Sequence, residues 1–188
     1  TTYKYWYKHG RLVHVLIVGG SETIYEYDDN GNRRYRKSAN PNSLAEGVYD
    51  SADRCLSYGV ISKFLYTENG DLSSKTGPNG TTEYDYDVYG NLSEALLPTG
   101  EHLEYVHDGR QRRVAKLVDG NVVAYWVYGD QLNPIAELDA DGDLRWRFVY
   151  GARKNVPAYG LYFKNGRVQS RYRFVTDHLG SVRLVVQK

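Results

Sequence analysis

Cysteine, methionine and long apolar runs are scarce in this chain, and each shortage excludes a class of protein. Cys55 is the single cysteine among 188 residues, so no disulfide framework can hold the fold together. The longest apolar run, residues 12–18, is interrupted by His14 and is far too short for a membrane-spanning helix. Methionine is absent and no signal peptide is visible, so we expect a processed product or a piece excised from a longer protein.

Excess charge is also missing, because 24 Lys and Arg residues offset 23 Asp and Glu residues to leave a net charge of +1. Dedicated nucleic-acid binders usually carry a strong basic excess, so we expect no nucleic-acid partner. The short basic runs at residues 33–37 and 110–116 are interpreted as solvated strand faces rather than phosphate sites. The five histidines and the cysteine show no metal-ligand spacing, and no glycine-rich phosphate loop precedes a helix, so we expect no metal and no cofactor.

Tyrosine and glycine are abundant instead, at 19 residues each. Tyrosine favours strands and glycine favours tight turns, whereas helix-forming residues never gather into a long periodic stretch. The composition therefore predicts an all-β fold.

An aromatic residue precedes a turn signal at regular intervals, and we refer to it as the marker aromatic. The markers are Tyr7, Tyr27, Tyr49, Tyr66, Tyr86, Tyr105, Tyr128, Tyr150 and Phe174. The mean spacing is about 21 residues, and each period holds a second turn signal near its middle, for example at residues 40–42. One period is thus two antiparallel strands, and eight intervals predict a meander of about sixteen short strands that forms a curved or spiralling sheet.

A glycine follows the centre of most of these turns, in sequences such as DNGN and VYGN. This position suits a type I turn whose next residue takes a positive φ, a conformation that only glycine adopts cheaply. The predicted turn glycines are Gly10, Gly31, Gly70, Gly90, Gly120, Gly142 and Gly166, with Gly109 and Gly180 expected to do the same.

The residue two before the marker is usually large and apolar, as in Phe148 before Tyr150. Residues two apart share one face of a strand, so the pattern predicts an aromatic face. Gly47 before Tyr49 is the exception. The opposite face is often charged, as with Arg145 and Arg147 or Arg171 and Arg173.

The segments YDDNGNR at 27–33, YDVYGNL at 86–92 and YTENGDL at 66–72 resemble the YD repeats of the RHS (rearrangement hot spot) family. Teneurins and the C subunits of insecticidal Tc toxins also carry these repeats. The resemblance covers the whole chain as a single repeat region of about eight repeats, 1–188. The segment YRFVTDHLGSVRLVV also resembles the start of the RHS core, which we place at 172–188.

The resemblance implies a non-enzymatic part of a shell that encloses or presents a C-terminal toxin or effector. The implied partners are the rest of the chain's own RHS polypeptide, the enclosed toxin domain, and other shell or secretion-apparatus subunits. The implied location is outside a bacterium, secreted or on the cell surface. The family's self-cleaving aspartyl site lies beyond this chain, so we expect no catalytic residue within it.

Two alternatives stay open at this point. Trp6, Trp126 and Trp146 would be the first candidates if exposed aromatics stacked on sugar rings in a surface adhesion module. Asp177-His178 near Ser181 could suggest acid–base chemistry, but no third partner can be assigned and the family motif explains the pair as part of a turn. The calcium-like spacing of Asp139, Asp141 and Asp143 is interpreted as a hairpin turn.

Overall fold

The computed structural model describes residues 2–39, 43–151, 155–177 and 180–188. It contains eighteen β-strands and, within those residues, no α-helix. The chain divides into two compact units, Thr1–Tyr84 and Asp85–Lys188. The predicted all-β meander is confirmed, while the predicted turn at residues 40–42 lies outside the described residues.

Nine strands begin in the first unit. They are β1 (Tyr3–Lys8), β2 (Arg11–Ile17), β3 (Glu22–Tyr27), β4 (Arg33–Ser38), β5 (Ala45–Tyr49), β6 (Cys55–Tyr58), β7 (Lys63–Tyr66), β8 (Leu72–Gly77) and β9 (Gly80–Tyr86). The first six form one sheet in chain order, and β7, β8 and β9 belong to a second sheet that also follows chain order. The pairings described in this unit are antiparallel.

Nine further strands lie in the second unit, and each pairs antiparallel with the next. They are β10 (Leu92–Leu96), β11 (His102–His107), β12 (Arg113–Val118), β13 (Asn121–Tyr128), β14 (Pro134–Leu138), β15 (Leu144–Tyr150), β16 (Pro157–Lys164), β17 (Arg167–Thr176) and β18 (Val182–Gln187).

The expected number of about sixteen strands is two too low, for a simple reason. Each of the nine marker aromatics lies in an odd-numbered strand that is followed by an even-numbered partner. Counting the eight intervals between markers therefore omits the last hairpin, β17 and β18, which begins with the strand that holds Phe174.

The interior of the sheets is made of small residues. Within each unit the strands in contact are consecutive in the chain, and no large side chain of the described residues is fully buried. The residues with the least exposure are Ala45, Ala95, Ala115, Ala124 and Thr82, together with Gly47 and Gly160. Most of the large aromatics are half-buried because they pack against neighbours on the same face of the sheet, whereas Trp6, the tyrosines of β1, Tyr89 and Tyr125 are exposed.

The chain reverses direction in two kinds of turn. Gly31, Gly70, Gly90 and Gly142 have φ between 80° and 99° and are the fourth residue of their turn, as the type I expectation requires. Gly10, Gly120 and Gly166 also have positive φ, but each closes a two-residue loop in which the preceding residue has positive φ as well. These three turns are type I′, so the single turn type expected from the sequence is wrong for them.

Gly109 does not take the left-handed conformation that we expected. In its turn the position with positive φ is Gln111, at 61°, because the turn begins at Asp108 and the third residue after the aspartate takes this conformation. Gly180 has φ of 91° and stands in the expected place, three residues after Asp177.

Candidate functional site

Within the described residues, no group of three or more His, Cys, Asp and Glu side chains could hold a metal ion. The described residues also include no helix that is long and apolar enough to cross a membrane. The features that recur are a hydrogen-bonded turn, a tyrosine contact between hairpins and two chemically different strand faces.

The recurring turn, which we name the YD turn, begins with a side chain that accepts hydrogen bonds from its own loop. At Asp108, Oδ1 accepts the backbone N–H groups of Arg110 and Arg112 at 2.9 and 3.0 Å. The side-chain oxygen also accepts the N–H of the residue four ahead at Asp28, Asp50, Thr67, Asp87, Asp139 and Asp177. The aspartate of the YD repeat is therefore the acceptor that closes the hairpin.

The residue at the end of the YD turn often returns a hydrogen bond to the aspartate. Arg112 donates from Nε and Nη2 to Asp108 Oδ2 at 2.8 and 2.6 Å, and Asn91 Nδ2 donates to Asp87. The guanidinium of Arg112 and the backbone N–H groups hold the pKa of Asp108 at about 2, below its ordinary value of 3.8. The side chain and backbone N–H of Asn91 likewise lower the pKa of Asp87.

This pKa shift predicts an acid dependence of stability. Because the carboxyl of Asp108 titrates lower in the folded chain, its contribution is complete above pH 3.8 and is lost as the pH falls towards 2. We expect Asp108→Asn to lower the urea midpoint at pH 7 and to differ progressively less from the parent chain towards pH 2. Asp141→Asn, which changes a carboxylate at a turn tip, is the control, and a midpoint difference that does not vary with pH would contradict the assignment.

Neighbouring YD turns are joined by side-chain hydrogen bonds. In the first unit Asn30 and Asn32 both donate to Oδ1 of Asp53 in the next turn, at 2.8 and 2.7 Å. In the second unit Gln131 donates to the carbonyl of Arg110 at 2.9 Å, and Arg112 donates to the carbonyl of Asp130 at 3.0 Å. In each unit these hydrogen bonds thus hold two neighbouring turns side by side.

The marker tyrosine connects its hairpin to the preceding one. Its hydroxyl donates to a backbone carbonyl at the beginning of the preceding strand, beyond the last backbone pair. The pairs are Tyr27 with Leu12 (2.7 Å), Tyr49 with Arg33 (3.0 Å), Tyr66 with Cys55 (2.7 Å), Tyr128 with Arg113 (3.0 Å) and Tyr150 with Pro134 (2.9 Å). A phenylalanine could fill the same space but could not make this bond, which explains the choice of tyrosine.

The same position carries a β-bulge. The register shifts immediately before Tyr7, Tyr27, Tyr49, Tyr66, Tyr128 and Tyr150. In β11 and β17 the shift comes before His107 and Thr176, and the turn aspartates Asp108 and Asp177 follow directly. Our assignment of Tyr105 and Phe174 as markers is therefore wrong by two residues, and both belong to the aromatic position that precedes the marker.

Tyr86 is the last residue of β9 and directly precedes Asp87. It therefore occupies the marker position of a complete YD turn. Tyr105, by contrast, is covered by the guanidinium of Arg113, whose Cζ lies 3.9 Å from the ring centroid. The sequence signal that distinguishes the two cases is the aspartate that follows, because an aromatic residue alone occurs at both positions of the strand.

Removing the hydroxyl of a single marker tyrosine should measurably lower the free energy of unfolding. We expect Tyr150→Phe to lower the free energy of unfolding by about 1 kcal/mol, because the carbonyl of Pro134 loses its donor at a half-buried position. Tyr89→Phe is the matched control, since Tyr89 lies at a turn tip and is 73% exposed. Urea unfolding followed by circular dichroism measures both, and equal effects of the two changes would remove the role we assign to the hydroxyl.

The three tryptophans lie in different surroundings. Trp6 is 42% exposed and stacks on His14 with the rings 4.2 Å apart. Trp126 and Trp146 are half-buried; Trp126 donates to Glu137 at 3.3 Å, and Trp146 packs among Phe148, Tyr162 and Tyr172. Of the three tryptophans, Trp6 therefore has the most exposed indole for stacking on a sugar.

The remaining polar candidates act in turns. Asp139 Oδ1 accepts the backbone N–H groups of Asp141 and Asp143, and Asp177 Oδ1 accepts that of Ser181 at 3.0 Å. His178, the other member of the predicted acid–base pair, lies outside the described residues.

Comparison with known proteins places this geometry in a family. The family model described as Teneurin YD-shell matches residues 1–188. Among curated proteins, the tRNA3(Ser)-specific nuclease WapA of Bacillus spizizenii is 27% identical over 161 residues, which cover 81% of this chain and 6% of that protein. Teneurin-1 of Gallus gallus is 31% identical over 137 residues, covering 72% of this chain and 5% of that protein.

Solved structures agree on the fold. The crystal structure of TcdB2-TccC3 superposes with a TM-score of 0.51 at 12% identity, over 95% of this chain and 11% of that one. The complex TcdB2-TccC3-Cdc42 gives the same TM-score at 11% identity. The chain therefore spans a small part of each protein that it matches. From its repeated YD turns, its hairpin order and the match along its whole length, the chain belongs to the teneurin YD-shell family.

Proposed function

We propose that this chain is a stretch of shell wall that encloses or presents another part of its own natural polypeptide, a C-terminal toxin or effector. The observation that supports this most is the construction of the sheets. Consecutive hairpins are joined edge to edge by tyrosine hydroxyls, while no large side chain of the described residues is fully buried. A sheet built in this way leaves apolar faces for a second polypeptide to cover.

The relatives support a toxic effector as the enclosed polypeptide. WapA of Bacillus is named a tRNA nuclease, and its matched region is 6% of its length. In this proposal the present chain supplies containment and no catalysis, and the chemistry belongs to the enclosed part. The protein would act outside its bacterial cell, secreted or on the surface, with other shell or secretion-apparatus subunits as further partners.

Limited proteolysis of the natural polypeptide that contains this chain tests containment. We expect the C-terminal polypeptide to resist a protease that digests it rapidly when it is expressed alone. Tyr128→Phe combined with Tyr150→Phe should weaken the wall between hairpins and increase the cleavage rate, since each change removes a bond to the preceding hairpin. Tyr89→Phe is the control, and a C-terminal part cleaved equally fast with and without the shell would overturn the proposal.

A second candidate function, glycan adhesion, is favoured by the exposure of Trp6. An exposed indole offers an apolar face to a sugar ring. On a glycan array we would expect binding that Trp6→Ala abolishes and Trp126→Ala preserves, whereas an array without signal would remove this candidate.

A further inference from the structure

Strands β15 and β17 repeat one hexapeptide pattern, RWRFVY at 145–150 and RYRFVT at 171–176. Alternation along a strand sends the aromatic residues to one face and the arginines to the other. On the aromatic face, Trp146 packs against Tyr162 and Tyr172 with ring centroids 5.0 and 5.2 Å apart, and Phe148 against Phe174 at 6.4 Å. The aromatic residues of this face therefore pack against one another within the unit.

The opposite face, which we name the arginine face, consists of Arg147, Arg171 and Arg173 with Tyr159 and Leu161 of β16 among them. The register places Arg147 opposite Leu161, and Leu161 opposite Arg171. Two strand spacings therefore separate Arg147 from Arg171, about 10 Å between Cα atoms. Arg171 and Arg173 are about 7 Å apart along one strand.

The positive charge of this face is largely uncompensated. Among the ion pairs of the described residues, none involves Arg147, Arg171 or Arg173, and all three side chains are exposed. Arg145 does not belong to this face, because the register shifts beside it and its Nη1 lies 3.7 Å from Glu137, which pairs with Trp146 on the aromatic face.

One guanidinium of the face is already positioned. Cζ of Arg171 lies 4.0 Å from the centroid of the Tyr159 ring. Stacking on an aromatic ring fixes the plane of the guanidinium and leaves its N–H groups free to bind an anion, which lowers the entropic cost of binding.

We propose that the arginine face binds an extended polypeptide segment that carries Asp or Glu at alternate positions. Side chains two apart on an extended chain are separated by about 7 Å, which matches the spacing of Arg171 and Arg173. Arginine pairs with carboxylates through two parallel hydrogen bonds, and the exposed stems of such residues can contact Leu161 and Tyr159 between the arginines.

The inference rests on the proposed function, since the segment would belong to the polypeptide that the shell holds. A polypeptide fits better than a nucleic acid, because the chain as a whole has a net charge of only +1 and lacks the broad basic field that nucleic acids require.

Fluorescence anisotropy with two labelled octapeptides tests the proposal on the full 188-residue chain. One peptide alternates glutamate and threonine, and the other alternates glutamine and threonine. We expect the acidic peptide to bind at least tenfold more tightly at low salt. Arg147→Gln with Arg171→Gln should weaken its binding at least tenfold. Arg147→Lys with Arg171→Lys should give an intermediate affinity, because lysine keeps the charge but lacks the planar fork.

Arg183→Gln is the control, because this exposed arginine stands at the register shift near the start of β18, outside the residues that define the arginine face, and should change the affinity less than twofold. Melting curves of all variants check that the fold is retained. Binding that is unaffected by the double glutamine variant would overturn the proposal, and so would tighter binding of a single-stranded oligonucleotide of equal charge. Because the peptide is free in solution, this result is independent of whether the proteolysis experiment shows containment.

Discussion

Replacing Gly47 with alanine is expected to destabilise the first unit by about 2–3 kcal/mol, although only one methyl group is added. A Cβ at this position would lie 2.6 Å from the carbonyl oxygen of Arg33 and 2.9 Å from the rings of Tyr49 and Tyr58. The carbonyl is a backbone atom in the sheet and already accepts the hydroxyl of Tyr49 at 3.0 Å, so it cannot move without breaking that contact.

The control is Gly109→Ala, because a Cβ at Gly109 would meet nothing within 4 Å and its φ lies outside the left-handed range. This change should be neutral or stabilise the chain by up to about 1 kcal/mol through the unfolded state. Urea unfolding followed by circular dichroism compares the two variants. If Gly47→Ala unfolds within 0.5 kcal/mol of the parent chain, about the spread of an ordinary surface substitution, the close packing around Gly47 is not as described.

Gly47 also shows why the repeat could be predicted from the sequence but its exceptions could not. Tyrosine before a polar turn with glycine is a local pattern, and local turn chemistry with strand alternation was enough to predict the order of hairpins. The glycine in place of a large residue two before Tyr49 depends on Tyr58 and Arg33, which are distant in the sequence and meet it only through strand pairing.

The errors at Tyr105 and Phe174 have a related cause. Each lies two residues before the true marker position, where most other repeats also carry an aromatic residue, and His107 and Thr176 stand where the tyrosine would be. The position of the turn aspartate would have resolved the alignment. The tyrosine hydroxyl bonds could not be foreseen, because they join one hairpin to the preceding one across 11 to 16 residues.

The arginine face was predictable in part. Alternation of arginine with aromatic residues in β15 and β17 predicts arginines opposite the aromatic face, which holds for Arg147, Arg171 and Arg173. That Arg147 and Arg171 lie on the two sides of Leu161 depends on the register of β16, which no pattern within β15 or β17 specifies. The positions of the arginines within each strand could therefore be predicted from the sequence. Their arrangement across β15, β16 and β17 required the structure.

Replacing Trp146 with alanine is expected to destabilise the second unit by about 3 kcal/mol. The indole contacts Phe148, Tyr162 and Tyr172, and it lies against the backbone of Gly160, whose absent Cβ would be 3.4 Å from Cε3 of the ring. Removing it leaves a gap at the centre of the aromatic cluster. Among the described residues of its unit no second layer covers the sheet, so there is little to fill that gap.

Trp6→Ala is the matched control, because Trp6 is 42% exposed and contacts the ring of His14 on one side, so its loss should cost about 1 kcal/mol. Amide hydrogen exchange locates the effect: protection should fall in β15, β16 and β17 for Trp146→Ala and stay unchanged there for Trp6→Ala. Since the arginine face is carried by the same three strands, Trp146→Ala should also weaken binding of the acidic peptide. Full protection of β15 to β17 in the Trp146 variant would show that the aromatic cluster does not hold these strands together.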